Sequence, residues 1–157
     1  MREPASDDVE FVVPAPTDLP RLAALARAYY AEAGMAWREE AQERALAMLC
    51  GGDKQALGWL AVFHGSDVGY IVCCLGFSVE FGGYDAFIDE LYVVPGFRRR
   101  GLGRRALAHA IAQLEARGVR AVHLQVERTL VEAQKLYRRA GFADDGRFLL
   151  TKRLAAR

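Results

Sequence analysis

The sequence predicts a mixed α/β fold in which a central β-sheet of about six to seven strands is flanked by four helices, in the order β-α-α-β-β-β-α-β-α-β. Apolar residues recur at helical spacing in four segments. Runs rich in β-branched and aromatic residues alternate with them, and glycines mark most of the boundaries. The chain has 157 residues, of which 52% are hydrophobic and 26% charged. These values favour one globular domain over residues 1–157, with a core over about 9–154.

The first third of the chain is predicted to hold one strand and two helices. Residues 9–13 form a short strand candidate. Thr17 can cap the first helix, and Gly34 suits the position just past its end. A second helix over residues 38–49 is stopped by Gly51-Gly52.

The middle of the chain is predicted to be rich in β-strands. Strands over residues 58–64 and 68–77 are joined by a short polar turn. Strands over residues 78–81 and 84–94 flank Gly82-Gly83, which is a hairpin signal because glycine readily adopts the positive φ of tight turns. This segment therefore supplies most of the sheet.

The last third is predicted to alternate helices and strands. A helix covers residues 102–117, and an apolar, β-branched strand covers residues 119–126. Residues 129–132 read as a capping box that opens a helix ending near residue 139. A final strand is predicted over residues 148–154. If the strands before and after the 102–117 helix are parallel, their connection is a right-handed crossover.

Composition excludes several classes of protein. The net charge of +1 gives no overall field that would attract nucleic acid or an anionic membrane. No apolar run reaches the roughly 20 residues of a membrane span, and no secretory signal is found, so a cytoplasmic location is expected. The odd cysteine count lacks a CxxC spacing, Cys73-Cys74 read as buried hydrophobes, and no histidine–cysteine cluster predicts a metal.

The strongest chemical signal is a glycine- and arginine-rich loop between a strand and a helix. It runs from Val93 to Gly103, and five arginines fall within residues 98–105. Glycines let the backbone approach a ligand closely, and the free N–H groups of a helix N-terminus favour anions. Arginine adds charge-assisted hydrogen bonds to phosphate. The loop is therefore interpreted as a diphosphate cradle rather than a solvated basic loop.

Other phosphate-binding loops fit the sequence less well. A Walker loop needs GxxxxGK followed by Ser or Thr, and the chain contains none. Residues 101–106 do fit the GxGxxG/A fingerprint of dinucleotide-binding proteins, with Glu127 downstream. However, six residues separate Val94 from Gly101, and too few residues follow the loop for the rest of a doubly wound sheet. NAD is therefore the weaker alternative.

Two motifs resemble those of the GCN5-related N-acetyltransferase (GNAT) superfamily. Arg98-Arg99-Arg100-Gly101-Leu102-Gly103, after Val93-Val94-Pro95, is similar to the family signature Arg/Gln-x-x-Gly-x-Gly/Ala after a VxP strand end. Residues 133–142, AQKLYRRAGF, resemble the family's AxxLYxxxGF. The order of elements agrees with the GNAT fold from about residue 9 to 154. Locally, residues 88–93 are also similar to a stretch of diamine acetyltransferases.

The resemblance implies that acetyl-CoA is the cofactor. Its diphosphate would lie on backbone amides of the arginine loop, and Leu91 and Val93 of a splayed strand would offer backbone groups to the thioester and pantetheine arm. The Leu91 N–H would then be the oxyanion donor. Tyr137 occupies the family's general-acid position, whereas Leu130 stands where many members carry an Asn. The implied cofactor-binding residues are Leu91, Tyr92, Val93, Arg98, Arg99, Arg100, Gly101, Leu102, Gly103, Arg104, Leu130 and Tyr137.

The acceptor amine needs a base, because an alkylamine with a pKa near 10.4 is mostly protonated at neutral pH. Glu90 is the leading candidate, and Asp89 beside it is the second. In a regular strand these two side chains point to opposite faces, so both reach the substrate only if the strand is bulged or twisted. Glu80 and Glu127 are reserve candidates. The resemblance to diamine acetyltransferases implies that the paired acids help to bind a polyamine.

Aromatic residues in or just after the first helix are candidates for the acceptor site, which this helix borders in the family. Tyr29 lies on the apolar stripe of the helix and is interpreted as core. Tyr30 lies off the stripe, and Trp37 follows the helix. The predicted substrate-binding residues are therefore Tyr30, Trp37, Glu80, Asp89 and Glu90.

The sequence thus favours an enzyme that transfers acetyl from acetyl-CoA to a primary amine by direct attack in a ternary complex. The acceptor is a diamine, a polyamine, another small amine or a peptide amine, and a homodimer is expected from the resemblance. A catalytically silent acyl-CoA-binding regulatory module is the alternative. A nucleic-acid binder ranks last, because the chain has no broad basic stripe with interleaved stacking aromatics.

Overall fold

One mixed β-sheet of five strands organises the molecule. The computed structural model describes residues 8–155. The strands are β1 (Val9–Val12), β2 (Ala56–Phe63), β3 (Ser66–Ser78), β4 (Gly83–Val93) and β5 (Ala121–Leu124). They lie side by side in chain order. The first four pair antiparallel, and β5 pairs parallel to β4, as its crossover through a helix requires.

Four helices cover the two faces of the sheet. They are α1 (Leu19–Glu32), α2 (Glu39–Cys50), α3 (Leu102–Ala116) and α4 (Val131–Arg139). On one face, α1 and α2 bury a cluster that includes Leu60, Tyr70 and Tyr92. On the other, α3 packs on Trp59, Ile71 and other residues, with Tyr137 of α4 at the margin of the cluster. The alternation along β2 and β3 therefore assigns successive residues to different helix layers.

The strands β4 and β5 are paired over only part of their length. The parallel register joins Asp85–Ile88 to Ala121–Leu124. Beyond Ile88, β4 continues to Val93 without a partner on that side within the described chain. On its other side, β3 stays close, since a Cβ at Gly69 would overlap the carbonyl oxygen of Tyr92. The structure therefore has an opening between β4 and β5 at the end where the glycine loop begins.

The GNAT-like α/β class is confirmed, but the sheet has five strands in the described chain rather than six or seven. Residues 78–81 were predicted as a separate strand, yet β3 ends at Ser78 and residues 79–82 form its turn into β4. Residues 148–154 were predicted as a closing strand. They pair with no strand, and Phe148 and Leu150 are 84% and 88% exposed. The segment includes Lys152 and Arg153 and leaves its large apolar side chains exposed, so it has no buried face that would fix a strand.

Two helix caps and one cysteine also differ from prediction. Thr17 lies within a short 3-10 turn, and Asp18 occupies the cap position of α1. Leu130, not Thr129, occupies the cap position of α4, with no side-chain cap hydrogen bond. Cys73 is buried, but Cys74 is exposed because consecutive strand residues face opposite sides of the sheet.

Candidate active site

The glycine- and arginine-rich loop turns sharply before it enters α3. After a 3-10 turn at Pro95–Phe97, the chain enters the left-handed region at Arg99, with φ 61°, and again at Gly101, with φ 78°. Gly101 is the cap residue of α3. Arg98 before them is extended, so the two left-handed residues turn the backbone sharply just before the N-terminus of α3, and a helix N-terminus favours anions.

The first turn of α3 leaves backbone N–H donors available beside this turn of the loop. The first helical hydrogen bond of α3 runs from the Arg105 N–H to the Gly101 carbonyl, 3.0 Å away. The N–H groups of Leu102, Gly103 and Arg104 precede it and have no helical acceptor. A Cβ placed on Gly103 would come within 3.5 Å of a Leu136 methyl group, in the narrow space between α3 and α4. The donors, the dipole of α3 and the glycine surface together fit a diphosphate.

The arginines of the loop divide into two kinds. Arg99, Arg100 and Arg104 are exposed, and within the described chain they form no ion pair. Arg98 instead forms a bidentate pair with Glu32 at the end of α1, with both N–O distances 2.6 Å, and its Nε donates to the Val93 carbonyl at 2.8 Å. Arg98 therefore fixes the loop against α1, and Arg105 donates to the Val9 carbonyl of β1 at 3.3 Å, whereas the guanidinium groups of the three exposed arginines are available to a phosphate.

The structure contains the irregularity in β4 that both acids would need. The β3–β4 register pairs Val72 with Glu90 but Cys73 with Ile88, so Asp89 is an extra residue without a partner on β3. Such a bulge lets neighbouring side chains depart from strict alternation. Burial raises the pKa of Asp89, and Asp89 in turn contributes to the raised pKa of Glu90. Both carboxyl groups therefore lie in one partly desolvated region at the start of the β4–β5 opening.

Two tyrosine hydroxyls hold the Glu90 carboxylate. Tyr30 of α1 donates to Oε1 at 2.8 Å, and Tyr70 of β3 donates to Oε2 at 2.7 Å. Burial raises the pKa of Glu90, although the two hydrogen bonds favour its charged form and oppose that effect. Burial and Glu90 also raise the pKa of Tyr30 and of Tyr70, so both phenols remain protonated donors at neutral pH. The sequence did not identify Tyr70, because an apolar strand context is typical of core tyrosines.

The aromatic residues predicted for the acceptor site lie together beside Glu90. The Tyr30 and Trp37 rings meet edge to face with centroids 5.3 Å apart, and Trp37 Nε1 donates to Glu39 at 2.7 Å. Tyr29 contacts Tyr30 at 5.8 Å, and burial, followed by the charge of Glu90, raises its pKa. The end of α1 and the loop before α2 therefore present an aromatic wall next to a carboxylate, and the Arg27 guanidinium lies over the Trp37 ring, 5.2 Å from its centroid.

Tyr137 lies on the opposite side of the opening, in α4. Its ring packs edge to face on Phe142 at 6.1 Å and joins the core cluster under α3. Burial, and to a lesser extent Tyr29, raises the pKa of the Tyr137 phenol, which keeps it a proton donor at neutral pH. Leu130, at the amino end of the same helix, is half exposed and offers no polar atom from its side chain.

The reserve acids Glu80 and Glu127 fall in different places. Glu80 lies in the β3–β4 turn, where it forms a bidentate pair with Arg147 at 2.8 and 2.9 Å. The seven residue steps of β4 from Gly83 to Glu90 span roughly 23 Å at the usual strand rise. The structure therefore does not bring Glu80 to the other site residues. Glu127 lies nearer, since its charge contributes to the raised pKa of Tyr29.

Within residues 8–155, no group of three or more His, Cys, Asp or Glu side chains is arranged to hold a metal ion. No helix over the same residues is both long and apolar enough to cross a membrane.

One known protein family matches the part of the chain that contains the candidate site. The sequence model of the Acetyltransferase (GNAT) family matches residues 21–142, which run from the start of α1 to just beyond α4. The match covers more than half of the chain and includes the glycine loop, both acids and Tyr137.

Individual relatives match over different lengths. A ribosomal protein bS18-alanine N-acetyltransferase of Salmonella typhimurium is 43% identical over 58 residues, 37% of this chain and 39% of the relative. The chain thus spans about two fifths of the length of this curated relative. An integron cassette protein from the mobile metagenome of Cole Harbour Salt Marsh is 36% identical, with a TM-score of 0.83 over 98% of this chain and 95% of the other. An aminoglycoside acetyltransferase from an uncultured soil metagenomic sample, in complex with sisomicin, shares the fold at 18% identity, with a TM-score of 0.80 over 95% and 98% of the two chains.

Proposed function

The chain belongs to the acetyltransferase (GNAT) family, and on that basis we propose that it is an acetyl-CoA-dependent N-acetyltransferase acting on a primary amine. The observation that carries the proposal is the convergence at one opening of the sheet. The glycine- and arginine-rich loop begins where β4 ends. Glu90 lies on β4, two residues beyond Ile88, the last residue of β4 that pairs with β5. A cofactor held by the loop and lying along β4 would meet the acids of β4 there.

In the proposed reaction, acetyl-CoA supplies an activated acyl thioester. The α3 N-terminus and the exposed side chains of Arg99, Arg100 and Arg104 hold the diphosphate. The backbone of β4 from Leu91 to Val93, which is unpaired on the β5 side, positions the arm, and the Leu91 N–H stabilises charge on the thioester oxygen. The backbone of Tyr92 follows the same edge, whereas its side chain faces α1.

Proton transfer is divided between the two sides of the opening. Glu90 accepts the proton of the acceptor ammonium group, because burial raises its pKa toward neutrality and makes it a stronger base than an exposed carboxylate. The Tyr137 phenol would donate a proton to the departing thiolate, and the proton that the attacking nitrogen loses on forming the amide would restore the phenol. Amine and cofactor are held together, so the acetyl group moves by direct attack within a ternary complex.

We propose a diamine, a polyamine or a similar small amine as the acceptor. Asp89 and Glu90 place two carboxyl groups beside Tyr30, and two acids close together suit a ligand with more than one positive charge. The names of relatives also point to a ribosomal-protein alanine and to aminoglycosides. A peptide with an amino-terminal alanine and an aminoglycoside therefore belong in the same panel of acceptors.

Calorimetric titration with acetyl-CoA tests the cofactor first, with NAD and CoA lacking its 3′-phosphate in parallel. Micromolar binding of acetyl-CoA with little binding of NAD is expected, and absence of acetyl-CoA binding would overturn the proposal. A turnover assay with the amine panel follows. Tight binding without turnover on any amine would favour the alternative, a silent acyl-CoA-binding regulatory module.

Substitution of the second acid tests the acceptor class. Asp89→Asn should lower kcat/KM for a diamine more than for a monoamine of equal length, because it removes one negative charge beside the acceptor. Glu80→Gln is the matched control, since Glu80 lies in the β3–β4 turn, where Arg147 pairs with it far from the opening. Equal effects of both substitutions would exclude a role of Asp89 in acceptor choice.

We also propose a homodimer. Exposed apolar side chains cluster at the β3–β4 turn, where Phe77 and Tyr84 meet edge to face, and the Arg147–Glu80 pair ties the exposed segment around Phe148 to that turn. Apolar surface of this kind favours association. Sedimentation equilibrium of the purified chain gives the mass directly, and a monomer at all concentrations would exclude the proposal.

A further inference from the structure

We propose that the proton of the acceptor amine reaches Glu90 through the hydroxyl of Tyr30. Tyr30 is then a catalytic relay residue, and Tyr70 is the positioning residue that holds the Glu90 carboxylate for it. The inference rests on the proposed function, in which Glu90 is the final proton acceptor. The geometry that carries it is the pair of hydrogen bonds to one carboxylate from opposite sides, 2.8 Å from Tyr30 and 2.7 Å from Tyr70.

The two tyrosines differ in access to an acceptor. Tyr70 is 1% exposed and lies under α1 in the core, so its hydroxyl reaches no ligand. Tyr30 is half-buried and lies on the last turns of α1, against Trp37 in the loop before α2. Of the two groups that touch the carboxylate, only Tyr30 is partly exposed, and it belongs to the aromatic wall beside which the proposed amine would bind.

A phenol can donate and accept at once, because its oxygen keeps lone pairs while its O–H points to Glu90. In the relay, the acceptor ammonium gives one N–H proton to the Tyr30 oxygen, and the Tyr30 O–H proton passes to Glu90 Oε1. The products are a neutral amine, an unchanged Tyr30 and a protonated Glu90. Tyr30 carries no net charge before or after the step, so its own high pKa is no obstacle to the transfer.

The surroundings of Glu90 favour this direction of transfer. The titratable groups that face it are Tyr70 from β3, Tyr29 and Tyr30 from α1, and Asp89 from its own strand. None of these is a cation that would hold Glu90 ionised. Burial raises the pKa of Glu90, and the charge of Asp89 adds to this, although the hydrogen bonds from Tyr70 and Tyr30 oppose it, so the net change favours transfer of the proton to Glu90.

The test compares Tyr30→Phe with Tyr70→Phe, because each removes one hydrogen bond from the same carboxylate and only the first removes the relay. Tyr30→Phe should lower kcat by roughly 10²-fold while leaving the Kd of acetyl-CoA unchanged. Tyr70→Phe should lower kcat only a few-fold and move the acid limb of the kcat/KM profile to higher pH, since the ionised carboxylate loses a donor. Unchanged acetyl-CoA binding by calorimetry shows that each variant is folded.

Glu90→Gln separates the relay from the function on which it rests. Loss of turnover in Glu90→Gln, with equal small losses in Tyr30→Phe and Tyr70→Phe, would overturn the relay and leave Glu90 as a base that acts directly. Full turnover in Glu90→Gln would overturn both the base and the relay. A large loss in Tyr30→Phe with a small loss and a shifted profile in Tyr70→Phe is the result expected.

Discussion

Substitution of Gly101 by alanine isolates the contribution of loop geometry to cofactor binding. Gly101 has φ 78° at the cap of α3, and an added Cβ would meet no atom within 4 Å. The cost of the change is therefore backbone strain alone, about 1–2 kcal/mol for a residue with a Cβ in the left-handed region. Because the loop is exposed, the free protein can relax this strain, but the bound loop cannot.

The strain should therefore appear in binding, as a rise of roughly 5–30-fold in the Kd of acetyl-CoA. Calorimetry measures the Kd, and a thermal melt checks that Tm stays close to that of the original chain. Gly96→Ala is the matched control, since Gly96 lies in the same loop without a positive φ and a Cβ there also meets nothing within 4 Å. A Kd for Gly101→Ala within twofold of the control would refute the cradle geometry.

Further predictions concern proton transfer and the thiols. Tyr137→Phe should keep acetyl-CoA binding and slow turnover by roughly 10²-fold, and an unchanged kcat would exclude Tyr137 as the general acid. Glu90 must be ionised to act as a base and burial raises its pKa above 4.5, so kcat/KM should fall as the pH drops through that raised value. An acid limb that persists in Glu90→Gln would assign it to another group. Alkylation of the native protein should modify Cys74 alone, because Cys50 and Cys73 are buried. Burial also raises the pKa of Cys73 to about 12, which disfavours its reactive thiolate. Peptide mapping that finds Cys73 labelled first would contradict this prediction.

Local patterns in the sequence predicted most of the fold because most elements carry their own boundary signals. The helix α2 ends at Gly51-Gly52 as expected, and α3 begins at the predicted Leu102. The segment 148–154 was predicted as a strand but pairs with none, because its apolar side chains remain exposed and no buried face fixes a register. The capping box predicted at residues 129–132 is not formed, because α4 begins one residue later, with Leu130 in the cap position. The preceding loop is held instead by Gln134, which donates hydrogen bonds to the carbonyls of Glu127 and Arg128.

The candidate site was predictable where it follows the chain and less so where it joins distant segments. The glycine loop and the two acids are continuous in sequence, so spacing and residue type were enough to find them. The bond between Tyr70 and Glu90 joins β3 to β4, and the Arg98–Glu32 pair joins the loop to α1 across 66 residues. No periodicity in a single segment encodes such contacts. They depend on which face of β3 is covered by α1, which only the assembled sheet defines.

The bulge at Asp89 explains how one strand can serve both parts of the proposed reaction. Leu91 faces the layer of α3 and α4, whereas Glu90 is hydrogen-bonded to α1 on the other face. A regular β4 paired to β5 along its whole length would separate these two faces completely. The bulge and the loss of β5 pairing occur at adjacent positions, Ile88 and Asp89, so the sheet opens where the acids lie. In the proposed enzyme, an amine held by Tyr30 and Glu90 can therefore reach a thioester that lies along Leu91 only at this point of the strand.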